Sequence, residues 1–281
     1  MKPARGKSIL EKTAASPRRI WICCYSFDTV LPFDFQRVLA YTVGLAATFD
    51  YFTIAGPRFA MSARNLAMRL SPQDRVLDVG GFDQARDAVL AGFTESPPHW
   101  DIINGDILLD AGLDSSRYFD ARTDRLPYAD NSFDAVVCWE TVEHLFNIRA
   151  DGVVSWDGVV FACQEMARVL KPGGVWQVTT TNRFCPRTFW CFKNGLAPMV
   201  NAPTMTHMGH IFEFAGEDLL TIARSAGMAE LDLDSFNAYD MHFDVPRAQQ
   251  LAPELAAMLG RPLLRHELYD TLQLFARKPV G

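Results

Sequence analysis

The segment Tyr118–His144, YFDARTDRLPYADNSFDAVVCWETVEH, constrains the fold more than any other part of the chain. Asp130-Asn131 ahead of Ser132-Phe133-Asp134 is turn chemistry, because Asn and Asp side chains bond their own backbone and tolerate a strained φ. Ala135-Val136-Val137-Cys138-Trp139 follows as a short unbroken apolar run with β-branched residues. That pattern predicts a strand buried on both faces of a parallel sheet. Polar side chains arrive only past its carboxyl end, as Glu140, Thr141, Glu143 and His144. In an open α/β sheet the carboxyl ends of the strands are where ligands bind.

At 281 residues the chain is long enough for one large α/β domain with an appended segment. A net charge of −6 argues against a general nucleic-acid binder, which needs a basic face to neutralise phosphates. Basic residues crowd the first nineteen positions, where Lys2, Arg5, Lys7, Lys12, Arg18 and Arg19 face only Glu11. A solvated tail is favoured there over a lipid- or nucleic-acid-binding arm. No apolar run follows to make a secretory signal, and the longest apolar stretch, Val38 to Phe49, is too short to span a bilayer. The six cysteines, at 23, 24, 138, 163, 185 and 191, form no CxxC pair, so reduced thiols in a cytoplasmic protein are expected.

Read in order, IWICCYSF at 20–27 fits a strand or a buried loop, and Phe33 to Met68 reads as helical with a break at Gly56-Pro57. The expected division is therefore an N-terminal extension, 1–57, and a main domain, 58–281. Arg58 to Leu70 places Phe59, Ala63, Leu66 and Leu70 on one helical face. Arg75 to Gly81 is expected as the first sheet strand and its turn, with Gly80-Gly81 letting the backbone approach a ligand. Asp87 to Phe93 predicts a short helix. WDIINGDI at 100–107 predicts the second strand, with Asp106, or Asp110 as its rival, at the tip. Tyr118 to Ala121 predicts the third. Trp156 to Leu170 is an amphipathic helix that Lys171-Pro172-Gly173-Gly174 ends, and Val175 to Thr179 is the next strand. Phe184 to Thr206 shows little periodicity, and 184–212 is expected as a substrate-side loop. Glu217 to Ser225, closed by Gly227, is a helix, and Leu231 to Phe236 and Thr271 to Arg277 alternate as strands. His207 and His210 stand at HxxH spacing, a poor metal pair without a third ligand.

LPYADNSFDAVVCWETVEHL, with RVLDVGG before it and ARVLKPGGVWQVTTTNRF after it, resembles the class I S-adenosylmethionine-dependent methyltransferases, in particular the bacterial group with LPF-x-DNSFD and EHL motifs. The resemblance runs from about Arg75 to Gly227. It implies a Rossmann-like, seven-stranded, mostly parallel sheet with an antiparallel C-terminal hairpin strand and helices on both faces. It implies S-adenosyl-L-methionine as cofactor, with Asp78, Gly80, Gly81 and Glu140 in the binding edge, Asp106 on the ribose hydroxyls, and Asp120-Ala121 beside the adenine. Arg122 rivals Asp120, because the spacing to Leu126 is slightly long. The family's next glycine positions in the first turn are occupied here by Phe82, Asp83 and Gln84. The helix before the first strand either covers the cofactor or simply packs on the sheet.

The expected activity is methyl transfer to a small-molecule or glycan acceptor. Such a displacement asks the protein to position two partners and remove a proton, which makes His144 the candidate base. His210 is the second candidate, since the resembling family places a His-x-x-x-Phe segment near its substrate. A turnover-deficient methyltransferase-like assembly subunit is the alternative, supported by the altered glycine turn. A nicotinamide-dependent oxidoreductase is disfavoured, because no GxGxxG follows the first strand. Acceptor identity and oligomeric state are not written in the sequence.

Overall fold

The chain builds a mixed sheet whose order puts the 133–139 strand near its middle, as the unbroken apolar run requires. In the computed structural model, residues 51–81, 93, 98–103, 120–148, 153–194, 212–237 and 249–281 are described. They form α1 (Tyr51–Ala67), β1 (Arg75–Val79), β2 (His99–Ile103), β3 (Phe133–Trp139), a small hairpin of β4 (Asn147–Ile148) and β5 (Val154–Ser155), and α2 (Asp157–Val169). β6 (Leu170–Thr181), α3 (Pro186–Lys193), α4 (Gly216–Ser225), β7 (Ala229–Phe236), α5 (Ala252–Leu259) and β8 (Thr271–Arg277) follow. The main sheet runs β2-β1-β3-β6-β8-β7. Its first four strands are parallel, and β8 is antiparallel to both β6 and β7. This is the expected Rossmann-like sheet, mostly parallel with an antiparallel C-terminal pair.

Helices cover both faces. On one, Phe59, Ala63 and Leu66 of α1 pack on Val76, Ala135, Val137, Trp139, Val175 and Phe275. On the other, Val159, Cys163 and Met166 of α2 and Leu219 and Ile222 of α4 pack on Leu77, Val136, Cys138, Val178 and Leu274. Strand side chains alternate between these layers, so residue parity assigns each strand position to one helix layer. All described residues fall in one compact unit, 46–281. No helix among them is long and apolar enough to cross a membrane.

The polar residues around the turn before β3 are structural staples. Asn131 adopts φ 56°, and the amides of Asn131 and Ser132 donate to the Arg168 and Val169 carbonyls at the end of α2. Arg168 donates to the Tyr128 and Leu126 carbonyls and to Asp130 and Glu165, while Glu165 accepts from the Leu126 amide. Asp134 accepts from the Arg75 amide and from Lys171 Nζ, tying β1, β3 and β6 together.

Four expectations change. α1 runs straight through Gly56-Pro57, because burying its apolar stripe outweighs the roughly 3 kcal/mol that an interior proline costs. Lys171–Gly174 does not precede β6 but bulges within it: Phe133 pairs with Leu170 and Ala135 with Val175, and Gly173 takes φ 76°. Asp120 and Ala121 lie at a turn rather than in a strand, held by the Thr123 and Asp124 amides donating to the Asp120 carbonyl. The expected loop 184–212 contains α3. The readings for 1–50, 82–92, 104–119 and 195–211 lie outside the described residues.

Candidate active site

The site is built at the carboxyl ends of β1, β3 and β6. β1 ends at Val79, and the Gly80 amide donates to the Ile103 carbonyl at 2.8 Å, holding the β1 and β2 tips together. Gly80 has φ 87°, where a side chain is strained, and a Cβ there would lie 2.3 Å from Thr141 Oγ1. A Cβ at Gly81 would lie 2.3 Å from Asp78 Oδ2. Backbone therefore lies directly against Asp78 and Thr141, and any side chain would close the approach. Asp78 is buried, takes a 3.3 Å bond from Trp100 Nε1, and burial pushes its carboxyl up to about 7 against that bond.

At the β3 end, Glu140 leaves the strand with φ 50° while its amide donates to the Thr179 carbonyl. The left-handed turn swings its side chain into an ion pair with Arg58 of α1. Both are buried, Arg58 at 2% exposure. Burial raises the Glu140 carboxyl to about 7; Arg58 and His144 pull it down, and Glu143 pushes it up. The Thr179 hydroxyl also draws it down but falls outside hydrogen-bond geometry. A single 3-10 turn, Val142–His144, follows, and Glu143 accepts from the Thr180 hydroxyl at 2.9 Å. His144 is 7% exposed, close enough to Glu140 to act on its charge.

Asp120 is engaged by Arg122, whose Nε, Nη2 and backbone amide all donate to it. Burial works against the charge, yet these bonds hold the Asp120 carboxyl below the usual carboxylate range. The two rivals of the sequence are thus partners, with Ala121 buried beside them. Asp106, Asp110, Phe82, His207 and His210 lie outside the described residues. Asp78, Gly80, Gly81, Thr141 and Glu140 are brought together.

A second polar group is unexpected. On the α1 face, Gln177 of β6 donates to the Ser62 carbonyl and to Gln273 of β8, and Asn65 of α1 also donates to Gln273. Toward the same edge come Thr179, Thr181 and Thr271, by strand parity, and then Asp270. Buried Glu213 and Arg187 lie near, and burial raises Glu213 to about 7 despite the pull of Arg187 and Arg183. Arg58, Glu213 and Asp270 were not singled out in the sequence. One signal was available: Arg58, Ser62 and Asn65 form a polar helical stripe one residue out of phase with Phe59, Ala63 and Leu66.

A family model described as a methyltransferase domain matches residues 108–177. A relative from Mycolicibacterium smegmatis, described as a probable S-adenosylmethionine-dependent methyltransferase, is 31% identical over 164 residues, 54% of this chain and 60% of the relative. The chain thus spans less than two thirds of that relative's length. Solved structures with similarity include a SAM-dependent methyltransferase from Archaeoglobus fulgidus, 14% identical with TM-score 0.48, covering 82% of this chain and 100% of that one. Another is a possible histamine N-methyltransferase from Thermotoga maritima, 16% identical with TM-score 0.47, covering 87% and 98%. Over these spans the chain is similar to methyltransferase domains.

Proposed function

We propose that the protein is an S-adenosylmethionine-dependent methyltransferase acting on a small-molecule or glycan acceptor. The observation that carries this reading is the bare backbone at Gly80 and Gly81, pressed against Asp78 and against Thr141, which falls in the 108–177 span that the methyltransferase model matches. A turn that no Cβ could enter suits a ligand lying flat on the main chain.

In this reading Asp78, Gly80, Gly81 and Glu140 form the wall for the cofactor. Asp106 serves the ribose hydroxyls, and Asp120-Ala121 the adenine, with Arg122 fixing the direction of the Asp120 carboxylate. When bound, S-adenosylmethionine supplies an electrophilic sulfonium methyl. The chain's own work is to exclude water, orient the acceptor and take its proton. His144 is the proposed base: it lies past the β3 end, buried and close enough to Glu140 to interact with its charge. His210 is kept as a second base candidate by resemblance alone. A cytoplasmic protein with neither a nucleic-acid nor a membrane partner remains the reading from composition.

Calorimetry with S-adenosylhomocysteine is the test. Micromolar or tighter binding, lost in Asp78→Ala, is expected. A folded protein that binds neither S-adenosylmethionine nor S-adenosylhomocysteine would instead favour the turnover-deficient assembly subunit.

A further inference from the structure

The edge formed by β6 and β8 carries polar groups that the cofactor reading does not use. Asp270 is 4% exposed, and among the described residues neither of its carboxylate oxygens has a hydrogen-bond partner beyond the pull of its own amide. Thr181 and Thr271 face each other in register on the α1 side, both buried, and neither hydroxyl is partnered among the described residues. Native proteins satisfy nearly all buried polar atoms, so four such atoms in one spot call for an occupant with complementary groups. The backbone there is fully engaged: the Asn182 amide donates to the Asp270 carbonyl, and Asn182 Nδ2 donates to the His266 and Tyr269 carbonyls. The edge is therefore rigid, and only the side chains are left over.

Position connects this spot with the site. Asp270 feels the charges of both Glu140 and Arg58, and the Glu140 amide is bonded to β6 at Thr179. In the sheet order β2-β1-β3-β6-β8-β7, the glycine turn lies on β1, and the leftover groups lie on β6 and β8 across β3. A transferase needs two neighbouring seats arranged in this way.

Resting on the methyltransferase reading, we propose that Asp270, Thr271 and Thr181 seat the methyl acceptor and select one that offers hydroxyl or ammonium hydrogen-bond donors. The inventory decides the class. Asp270 only accepts when ionised, and each threonine hydroxyl has acceptor lone pairs to fill. Asp270 feels the like charge of Glu140 and the opposite charges of Arg187 and Arg58. A carboxylate or phosphate on the acceptor would leave the Asp270 oxygens without a donor and repel them, whereas a hydroxyl or an ammonium supplies the missing donor. Burial lifts the Asp270 carboxyl to about 6 in spite of Arg187 and Arg58, with Glu140 adding to the lift, so the protein's own cations leave its charge only partly compensated.

The test uses the full chain, with S-adenosylhomocysteine calorimetry as the control on the cofactor reading. Melting is followed from pH 4 to pH 8 for the unmodified protein and for Asp270→Asn. A carboxyl raised to about 6 in the folded state weakens the fold as pH climbs from about 4 to 6. Asp270→Asn is therefore expected to melt several degrees higher at pH 8, with the gap closing toward pH 4. A lower melting temperature at pH 8 would make Asp270 a structural partner of Arg187 and overturn the proposal. The second arm measures melting shifts with S-adenosylhomocysteine plus methyl glucoside, putrescine or succinate. A shift with methyl glucoside points to hydroxyl donors and one with putrescine to ammonium donors; either is expected to fall at least tenfold in apparent affinity in Asp270→Asn and in Thr271→Val. A protein that binds S-adenosylhomocysteine but responds best to succinate, or to neither donor probe, overturns the assignment. Absence of S-adenosylhomocysteine binding strikes the cofactor reading instead, and the melting arm still judges Asp270.

Discussion

The two faces of the sheet are built on opposite terms. Beneath α2 and α4, Leu77, Val136, Val178, Met166 and Ile222 close a mainly apolar layer, with the buried Thr180–Glu143 bond at its carboxyl edge. Beneath α1, the layer is apolar only toward the amino ends of the parallel strands, and toward their carboxyl ends Arg58, Glu140, Thr179, Thr181 and Asp270 replace it with buried polarity. One face accumulates stability, and the other gives some of it up in exchange for chemistry. Rule-breaking of that kind concentrates where proteins function.

Five measurements would break or sharpen this contrast. His144→Asn should lower turnover by about 10²–10⁴-fold once an acceptor is in hand, with cofactor affinity and melting temperature held. A variant that turns over normally would remove the imidazole from the chemistry. Arg58→Ala strands a buried Glu140 carboxylate and should cost about 3–5 kcal/mol in denaturant unfolding, whereas Arg58→Met with Glu140→Leu should fold about as well as the unmodified protein. A double variant as unstable as the single one would show that the pair is a structural necessity. On the apolar face, Met166→Ala should cost about 2–5 kcal/mol and leave cofactor affinity untouched. Gly81→Ala must move Asp78 and should cost about 1–3 kcal/mol while abolishing S-adenosylhomocysteine binding; full-strength binding would refute the cradle.

The smallest effect is a pH slope. Asp78, Glu140, Glu213 and Asp270 are all raised by burial, to about 7, 7, 7 and 6. Each favours the protonated folded state, so the stability they contribute is present below about pH 4 and lost as pH rises from there through 6 to 7. Asp134 and Glu165 pull the other way: against burial, Lys171 and Arg168 hold them low, and their contribution is lost only below about pH 4. Melting temperature should peak near pH 4 and fall by a few degrees toward pH 8. A flat profile would mean that the polar face is better compensated than its geometry indicates.

The sequence already carried the fold, because a buried parallel strand such as Ala135–Trp139 has an unmistakable composition and Gly227, at φ 78°, stops its helix where expected. Within the candidate site, Glu140 was legible because it adjoins that strand, and Asp78, Gly80 and Gly81 because RVLDVGG pairs a strand with a glycine turn. Arg58 and Asp270 were not. A buried arginine and a surface arginine look alike in one dimension, and Asp270 reaches the site only because β8 inserts antiparallel beside β6. Asp130, Asn131 and Asp134, which the sequence places in a turn ahead of a strand, brace turns and strand ends.

The insertion of β8 between β6 and β7 also sets an order of events during synthesis. β7 leaves the ribosome before its neighbour exists, and at typical translation speeds roughly 2–8 s pass before the intervening forty or so residues are made. During that interval β7 is a bare strand with nothing to pair with, a template for aggregation. Glu230, Asp232 and Asp234 recur along it at every second position, a row of like charges that repels other nascent chains. The same delay governs activity. Asp270 and Thr271 arrive with the strand that completes the sheet, so a partly made chain holds the glycine turn but not the seat proposed for the acceptor.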